Sequence, residues 1–424
     1  VKIAVVGGAS TYTPELVQGF VSRRDRLPVD ELVLLDIDAD RLEIVGGLAR
    51  RMLERQGFEG ALTLTSDRAA AIDGASYVIV QLRVGGQAAR LRDETIPLRF
   101  GCIGQETTGP GGFAKALRTV PVVLDIAEET AARGAPGAWV VDFTNPVGIV
   151  TQALLDEGHH AIGLCNVAIG FQRILASRFG VEPERVQLEH VGLNHLSWER
   201  AVMVDGVDRL PELLAAGAAE MAEEVGMPIE LMRLVGAIPS YYLRYYYFTD
   251  QVLRAELEPG HVPRAKEVMD IEAELLEMYR DPALAEKPAL LEERGGAFYS
   301  EAAAQLIASL EAGTGDVHVV DVRNDGAIPG LPDDAVVEIP ARVDRDGAHV
   351  LPLDPLAPEM LGLVQGAKAY ERLAVRAAIT GDRAVALKAL IANQLVGEYD
   401  VARGLLDALL EGNREQLPRF FPEG

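Results

Sequence analysis

The sequence predicts an α/β fold, a doubly wound parallel sheet followed by a C-terminal α+β lobe. Three observations predict it. Short apolar runs rich in Val, Ile and Leu alternate with amphipathic helical patterns through the first half. A glycine turn joins the first of these runs to the first helical pattern. After about Trp198 the pattern changes to acidic helices separated by strand-like runs with Gly, Pro and Asp turns.

The strand-like runs are Lys2–Val6, Glu31–Leu35, Ala61–Thr65, Tyr77–Leu82, Trp139–Phe143, Ala161–Leu164 and Val186–His190. Helical patterns fall between them at Pro14–Ser22, Ala39–Arg55, Ala114–Arg133, Gly148–Glu157 and Ala168–Phe179. Pro14 suits a first helical turn, where its missing N–H costs nothing. Further on, the spacing predicts helices over Pro211–Val225, Pro263–Arg280 and one long stretch, Pro358–Leu410, with strands at Val317–Arg323 and Ala335–Val343. A division near residue 195 follows. Residues 1–195 form the parallel α/β lobe and residues 196–424 the α+β lobe.

The 424 residues exceed one simple core and suit two packed lobes. No apolar run is long enough to span a membrane, and the first residues enter a strand with no signal-peptide pattern. Two cysteines exclude a disulfide scaffold and fit a reducing cytoplasm. The net charge of −24 argues against nucleic acid and anionic membranes as partners. An anionic substrate must then be captured locally by arginines.

Val5-Val6-Gly7-Gly8-Ala9-Ser10 follows a strand and precedes a helix. Glycines there let the backbone approach a pyrophosphate at a helix N-terminus. Asp36 closes the next strand, where an acid binds both hydroxyls of an adenosine ribose. A carboxylate at that position disfavours a 2′-phosphate, so NAD is expected over NADP.

Two tetrapeptides, Gly163-Leu164-Cys165-Asn166 and Gly192-Leu193-Asn194-His195, each follow a short apolar run. Cys165 and His195 could therefore point from strand ends, where open sheets bind ligands. Two protein ligands make a weak site that a substrate must complete, as in a catalytic metal centre. A buried small thiol and a structural histidine remain the alternative reading of the same residues.

Gly101 to Phe113 is too glycine-rich to form a regular element. It carries one acid, Glu106, and reads either as a surface loop or as an active-site loop. Asn145 follows the Trp139–Phe143 strand, placed to bind a hydroxyl or to open a turn. Tyr241 to Tyr247 holds five tyrosines. Most of such a run is core or interface, but one phenol beside a metal could act as a base. Arg83, Arg90, Arg92 and Arg264 lie near these segments, and the guanidinium fork suits phosphate.

Together these segments resemble glycoside hydrolase family 4, the NAD- and metal-dependent glycosidases. The resemblance runs nearly end to end. It rests on VVGGAS followed by TPEL, LLDID, RVGG (83–86), the GQET and GPGG loop, FTNP, GLCN, GLNH, YYLRYYY and HVPRAKEVMD (261–270). It implies a lactate/malate dehydrogenase-like, Rossmann-type first lobe. It implies Cys165 and His195 as manganese(II) ligands and Tyr242 as catalytic base. It implies Gly7, Gly8, Ser10 and Asp36 at the NAD, with Arg83 beside them. Asn145 and Asn166 are implied as sugar contacts, Glu106 as a loop residue near the substrate, and Arg90 and Arg264 as holders of a 6-phosphate. It implies residues 1–195 as an NAD-binding lobe and residues 196–424 as a lobe for substrate, metal and oligomerisation, with homodimers or homotetramers expected.

The implied reaction is unusual among glycosidases. The sugar is oxidised at carbon 3 and deprotonated at carbon 2, the aglycone is eliminated from carbon 1, water adds, and carbon 3 is reduced again, so NAD is recycled. Where members acting on 6-phospho-α-glucosides have Cys-Asp, this chain has Cys165-Asn166. An amide is no acid at neutral pH, which favours 6-phospho-β-glucosides and leaves the general acid unassigned. The rival readings are a 6-phospho-α-glucosidase or α-galactosidase of the same family, a hydroxy-acid dehydrogenase releasing NADH stoichiometrically, and a non-enzymatic NAD-binding regulator.

Overall fold

A computed structural model describes residues 1–215, 218–295 and 298–422. Its first six strands are β1 (Lys2–Val6), β2 (Glu31–Leu35), β3 (Ala61–Thr65), β4 (Tyr77–Val80), β5 (Trp139–Asp142) and β6 (Ala161–Gly163). They pair in parallel in the order 3-2-1-4-5-6, the doubly wound arrangement whose topological switch lies between β1 and β4. The β1, β2 and β4 runs are almost wholly buried because helices cover both faces. Apolar clusters on the two faces form the core.

The sheet does not stop at β6. The chain adds β7 (Val186–Leu193), β8 (Leu196–Val204), β9 (Val207–Asp208), β10 (Ile238–Pro239), β11 (Asp316–Arg323), β12 (Val336–Asp344) and β13 (Gly347–Val350). They extend it antiparallel, in the order β6-β11-β12-β7-β8-β10. β7 and β8 form a hairpin through Asn194 and His195, with Leu193 opposite Leu196.

Several local expectations change. The glycine-rich 101–113 segment is irregular only to Thr108, and a helix then runs Gly109–Arg133 with Pro110 in its first turn. The Pro358–Leu410 stretch is three helices, Pro358–Thr380, Arg383–Ala392 and Tyr399–Gly412. Gly381, at φ 66°, ends the first, and the Asp382 side chain caps the second by accepting from Ala384 and Val385 amides. Helices Gly86–Thr95 and Tyr299–Ala312 were not expected. Residues 216 and 217 of the expected Pro211–Val225 helix lie outside the described residues and are flanked by helices Leu210–Ala215 and Ala218–Val225. Among the described residues, no helix is long and apolar enough to cross a membrane.

Candidate active site

The turn after β1 is built for close approach. Gly7 sits at φ 92°, and a Cβ there would lie 2.6 Å from the Gln81 carbonyl oxygen. The Gly7 and Gly8 amides both donate to the Leu35 carbonyl, tying the turn to β2. Asp36 follows at the end of β2, and its carboxylate accepts from the Ala9 amide at 2.9 Å and the Asp38 amide at 3.1 Å. Ala9 lies outside the left-handed region, so a side chain is accommodated there.

Gly7, Ser10 and Asp36 line one end of a cavity of about 1140 Å³. Arg83, Arg90, Glu106, Asn145, Asn166, Tyr242 and Arg264 line the same cavity. The nucleotide turn and the expected sugar contacts thus share one space, at the carboxyl ends of the parallel strands. Gly8 packs behind the lining, where a Cβ would meet the Leu34 Cβ at 2.8 Å. Cationic and anionic side chains nearly balance around the cavity, in a chain of net charge −24. That is the local capture of anions that the bulk charge requires.

Glu106 organises the cations. Its carboxylate pairs with Arg83, with Arg90 at 3.4 Å and with Lys115 at 2.8 Å. Burial works against its charge, but Arg83, Lys115 and Arg90 outweigh it and hold the carboxyl well below the usual range. Lys115 is itself brought down to about 7, by burial and by Arg83, against the pull of Glu106. Arg90 also pairs with Glu94 at 2.7 Å, and Glu94 accepts from the Ala265 amide. Arg264, the residue before Ala265, is half exposed at the cavity wall and donates to Glu267 and the Glu293 carbonyl. The buried Asn145 Oδ1 has no partner among the described residues. It is available to a ligand hydroxyl.

Cys165 and His195 are brought to one place by sheet register. Gly163 of β6 pairs with Asp321 of β11, Asp321 with Glu338 of β12, and Glu338 with Gly192 of β7. The two motif glycines therefore end one row across the sheet, with two carboxylates between them. Gly163 must lack a side chain, because a Cβ would lie 2.8 Å from the Asp321 Cβ and 2.3 Å from Thr151 Oγ1. Cys165 and His195 follow those glycines by two and three residues. His195 sits at φ 63°, uncommon for a residue other than glycine. Tyr242 stacks flat on it, with centroids 3.5 Å apart and planes within 7°.

These residues fit a divalent transition metal. The His195 ring is buried, its Nδ1 has no partner among the described residues, and burial lowers its pKa to about 4, so the imidazole is neutral and able to ligate. The Cys165 thiol is held well above its usual pKa by burial and by Glu338, so a thiolate there needs a cation. Among the described residues no group of three or more His, Cys, Asp or Glu side chains could hold a metal. A metal at this pair would take the rest of its shell from elsewhere. Tyr242 is likewise held well above the usual phenol range by burial and by Cys165.

Sequence reasoning missed several neighbours. Tyr299 bonds to the Cys165 side chain and lines the cavity. Lys115 is hidden in a helical pattern. His190 has Glu199 on Nδ1 at 2.7 Å and Glu338 on Nε2 at 2.6 Å. Burial opposes its charge, yet the two carboxylates push its pKa up to about 10. The signal for Asp321 and Glu338 was a single acid within a valine-rich run, Val319-Val320-Asp321-Val322 and Val336-Val337-Glu338-Ile339.

Residues 2–181 match the family described as "Family 4 glycosyl hydrolase", and residues 190–396 its C-terminal domain. The chain is 43% identical to a probable 6-phospho-beta-glucosidase of Bacillus subtilis, across 99% of this chain and 98% of that one. It is 30% identical to a phospho-alpha-glucosidase of Clostridium acetobutylicum, across 97% and 98%. The solved structure of the 6-phospho-beta glucosidase from Thermotoga maritima with manganese, NAD+ and glucose-6-phosphate superposes with a TM-score of 0.91 at 37% identity, across 98% and 99%. A Rossmann-like sheet with its glycine turn, and matches over both halves of the family's sequence pattern, lead to one conclusion: the chain belongs to glycosyl hydrolase family 4.

Proposed function

We propose that this protein is a 6-phospho-β-glucosidase that uses NAD and a divalent metal such as manganese. One observation carries the reading: a single cavity joins a dinucleotide turn to arginines, sugar-binding amides and Tyr242, with Tyr242 stacked on His195. The β-glucoside relative is closer than the α-glucoside one, 43% against 30% identical, and Asn166 supplies no acid in the place of an aspartate.

The chain's residues divide the work. Gly7, Gly8, Ser10 and Asp36 hold the dinucleotide, and Arg83 lies between it and the sugar. Arg90 and Arg264 bind the 6-phosphate, while Asn145 and Asn166 bind sugar hydroxyls. Glu106 pairs with Arg83 and Arg90 and orients them. When bound at Cys165 and His195, the metal supplies positive charge that polarises sugar oxygens and lowers the Tyr242 phenol, and NAD+ supplies a hydride acceptor. Tyr242 then takes the proton from carbon 2.

The division near residue 195 belongs to the same proposal, with Arg90, Asn145, Asn166, Cys165 and His195 reaching the substrate and metal from the first lobe and Tyr242 and Arg264 from the second, as do a cytoplasmic location and a homodimer or homotetramer. The test is turnover of 4-nitrophenyl 6-phospho-β-glucoside against its α-anomer, with and without NAD+ and manganese(II). The reading requires hydrolysis of the β-anomer with both additions. Preference for the α-anomer, or full turnover without either addition, overturns it.

A further inference from the structure

The row that aligns the two motif turns also contains a buried clamp on one of them. The β7–β8 turn consists of Asn194 and His195, and His195 occupies the left-handed region. That backbone is uncommon for residues other than glycine, even for histidine, so contacts that hold the turn favour it. Asn194 Nδ2 donates to Glu338 Oε2 at 2.9 Å. The other Glu338 oxygen lies 2.6 Å from His190 Nε2, and His190 Nδ1 lies 2.7 Å from Glu199. His190, Glu199, Glu338 and Asn194 are all buried, from β7, β8, β12 and the turn itself.

We infer that Glu338 is a positioning residue for the metal site, fixing His195 through Asn194, and that the His190–Glu199 pair fixes Glu338. The inference rests on reading Cys165 and His195 as the metal ligands. A metal-binding histidine loses affinity when its ring is free to turn, and outer partners that orient ligands are worth ~10–100-fold in metal affinity. The Glu338 carboxylate also lies in the row that ends at both motif glycines, so its charge favours a cation at the two ligands. His190 is hydrogen-bonded to Glu199 through Nδ1, and its Nε2 faces Glu338 at 2.6 Å as an ion pair, so charge attraction draws Glu338 toward it.

The experiment measures manganese(II) affinity by the electron-spin signal of free manganese, and NAD+ affinity by protein fluorescence, on the full chain. The variants are Glu338→Gln, Asn194→Ala and Cys165→Ser. The inference predicts that Glu338→Gln and Asn194→Ala each weaken manganese ~10–100-fold, and that the double variant is no worse than the weaker-binding single one. NAD+ affinity stays at the wild-type value. Unchanged manganese affinity in Asn194→Ala overturns it even where Glu338→Gln does not fold. Parallel loss of manganese and NAD+ affinity also overturns it, because that is general loosening of the fold. If Cys165→Ser keeps wild-type manganese affinity, the metal-site reading fails and the inference with it. If only Cys165→Ser loses affinity, the inference alone fails.

Discussion

The Tyr242 ring lies on the His195 ring, centroids 3.5 Å apart and planes 7° from parallel. The phenol proposed as base and the imidazole proposed as metal ligand are therefore in contact. A proton taken by Tyr242 is taken beside the position where a cation would sit. Stacking also buries Tyr242, and burial with Cys165 nearby raises its phenol well above the usual range. The base is thus expected to depend on the metal rather than to precede it.

Tyr242→Phe keeps the stack and removes the oxygen. Turnover is expected to fall ~10²–10⁴-fold, with manganese and NAD+ affinities unchanged. Steady-state rates together with binding titrations check this. A variant that keeps the wild-type rate removes Tyr242 from the chemistry.

Cys165→Ser replaces the soft ligand. Manganese affinity is expected to fall by more than the ~100-fold that a partner outside the ligand shell is worth, while NAD+ affinity holds. Full activity of the variant after chelator treatment contradicts the metal assignment.

Arg264→Ala removes a charge-assisted contact to the 6-phosphate, of the kind worth ~10–100-fold. KM should rise by that factor for the phosphorylated substrate and hardly at all for an unphosphorylated analogue. Equal losses on both take Arg264 out of the phosphate site.

The His190 clamp gives a pH dependence whose sign is fixed. Its folded pKa, about 10, lies above the ordinary 6.5. Its stabilisation is therefore complete below pH ~6.5 and is lost progressively as pH rises toward 10. His190→Gln should cost about 3–5 kcal/mol near pH ~6, where His190 is charged and Glu338 is ionised, as breaking a buried ion pair does. The stability difference from wild type should shrink on the alkaline side. Denaturant unfolding across that range measures it, and a difference that grows with pH contradicts the assignment.

The parallel half of the sheet was legible because strands buried on both faces read as unbroken apolar runs, as in β1, β2 and β4. The antiparallel half was less so. The β7–β8 hairpin turns at Asn-His, which carries no glycine at the turn, and its second strand was not expected. The Tyr299–Ala312 helix is buried nearly all round and lacks the one-sided pattern that marks a surface helix. Cys165 and His195 were legible as a pair because each closes a strand-and-turn motif. Asp321 and Glu338 were not, because an acid within a strand reads as a solvent-facing position. Only the register that pairs Gly163, Asp321, Glu338 and Gly192 reveals that they lie under the site.

Hydrolysis in heavy water tests the central claim most directly. With NAD+ and manganese(II) present, the glucose 6-phosphate released from a 6-phospho-β-glucoside should carry deuterium at carbon 2, and NADH should not accumulate. Hydrolysis that leaves carbon 2 unlabelled, with no primary isotope effect from substrate deuterated at carbon 2 or 3, contradicts the account.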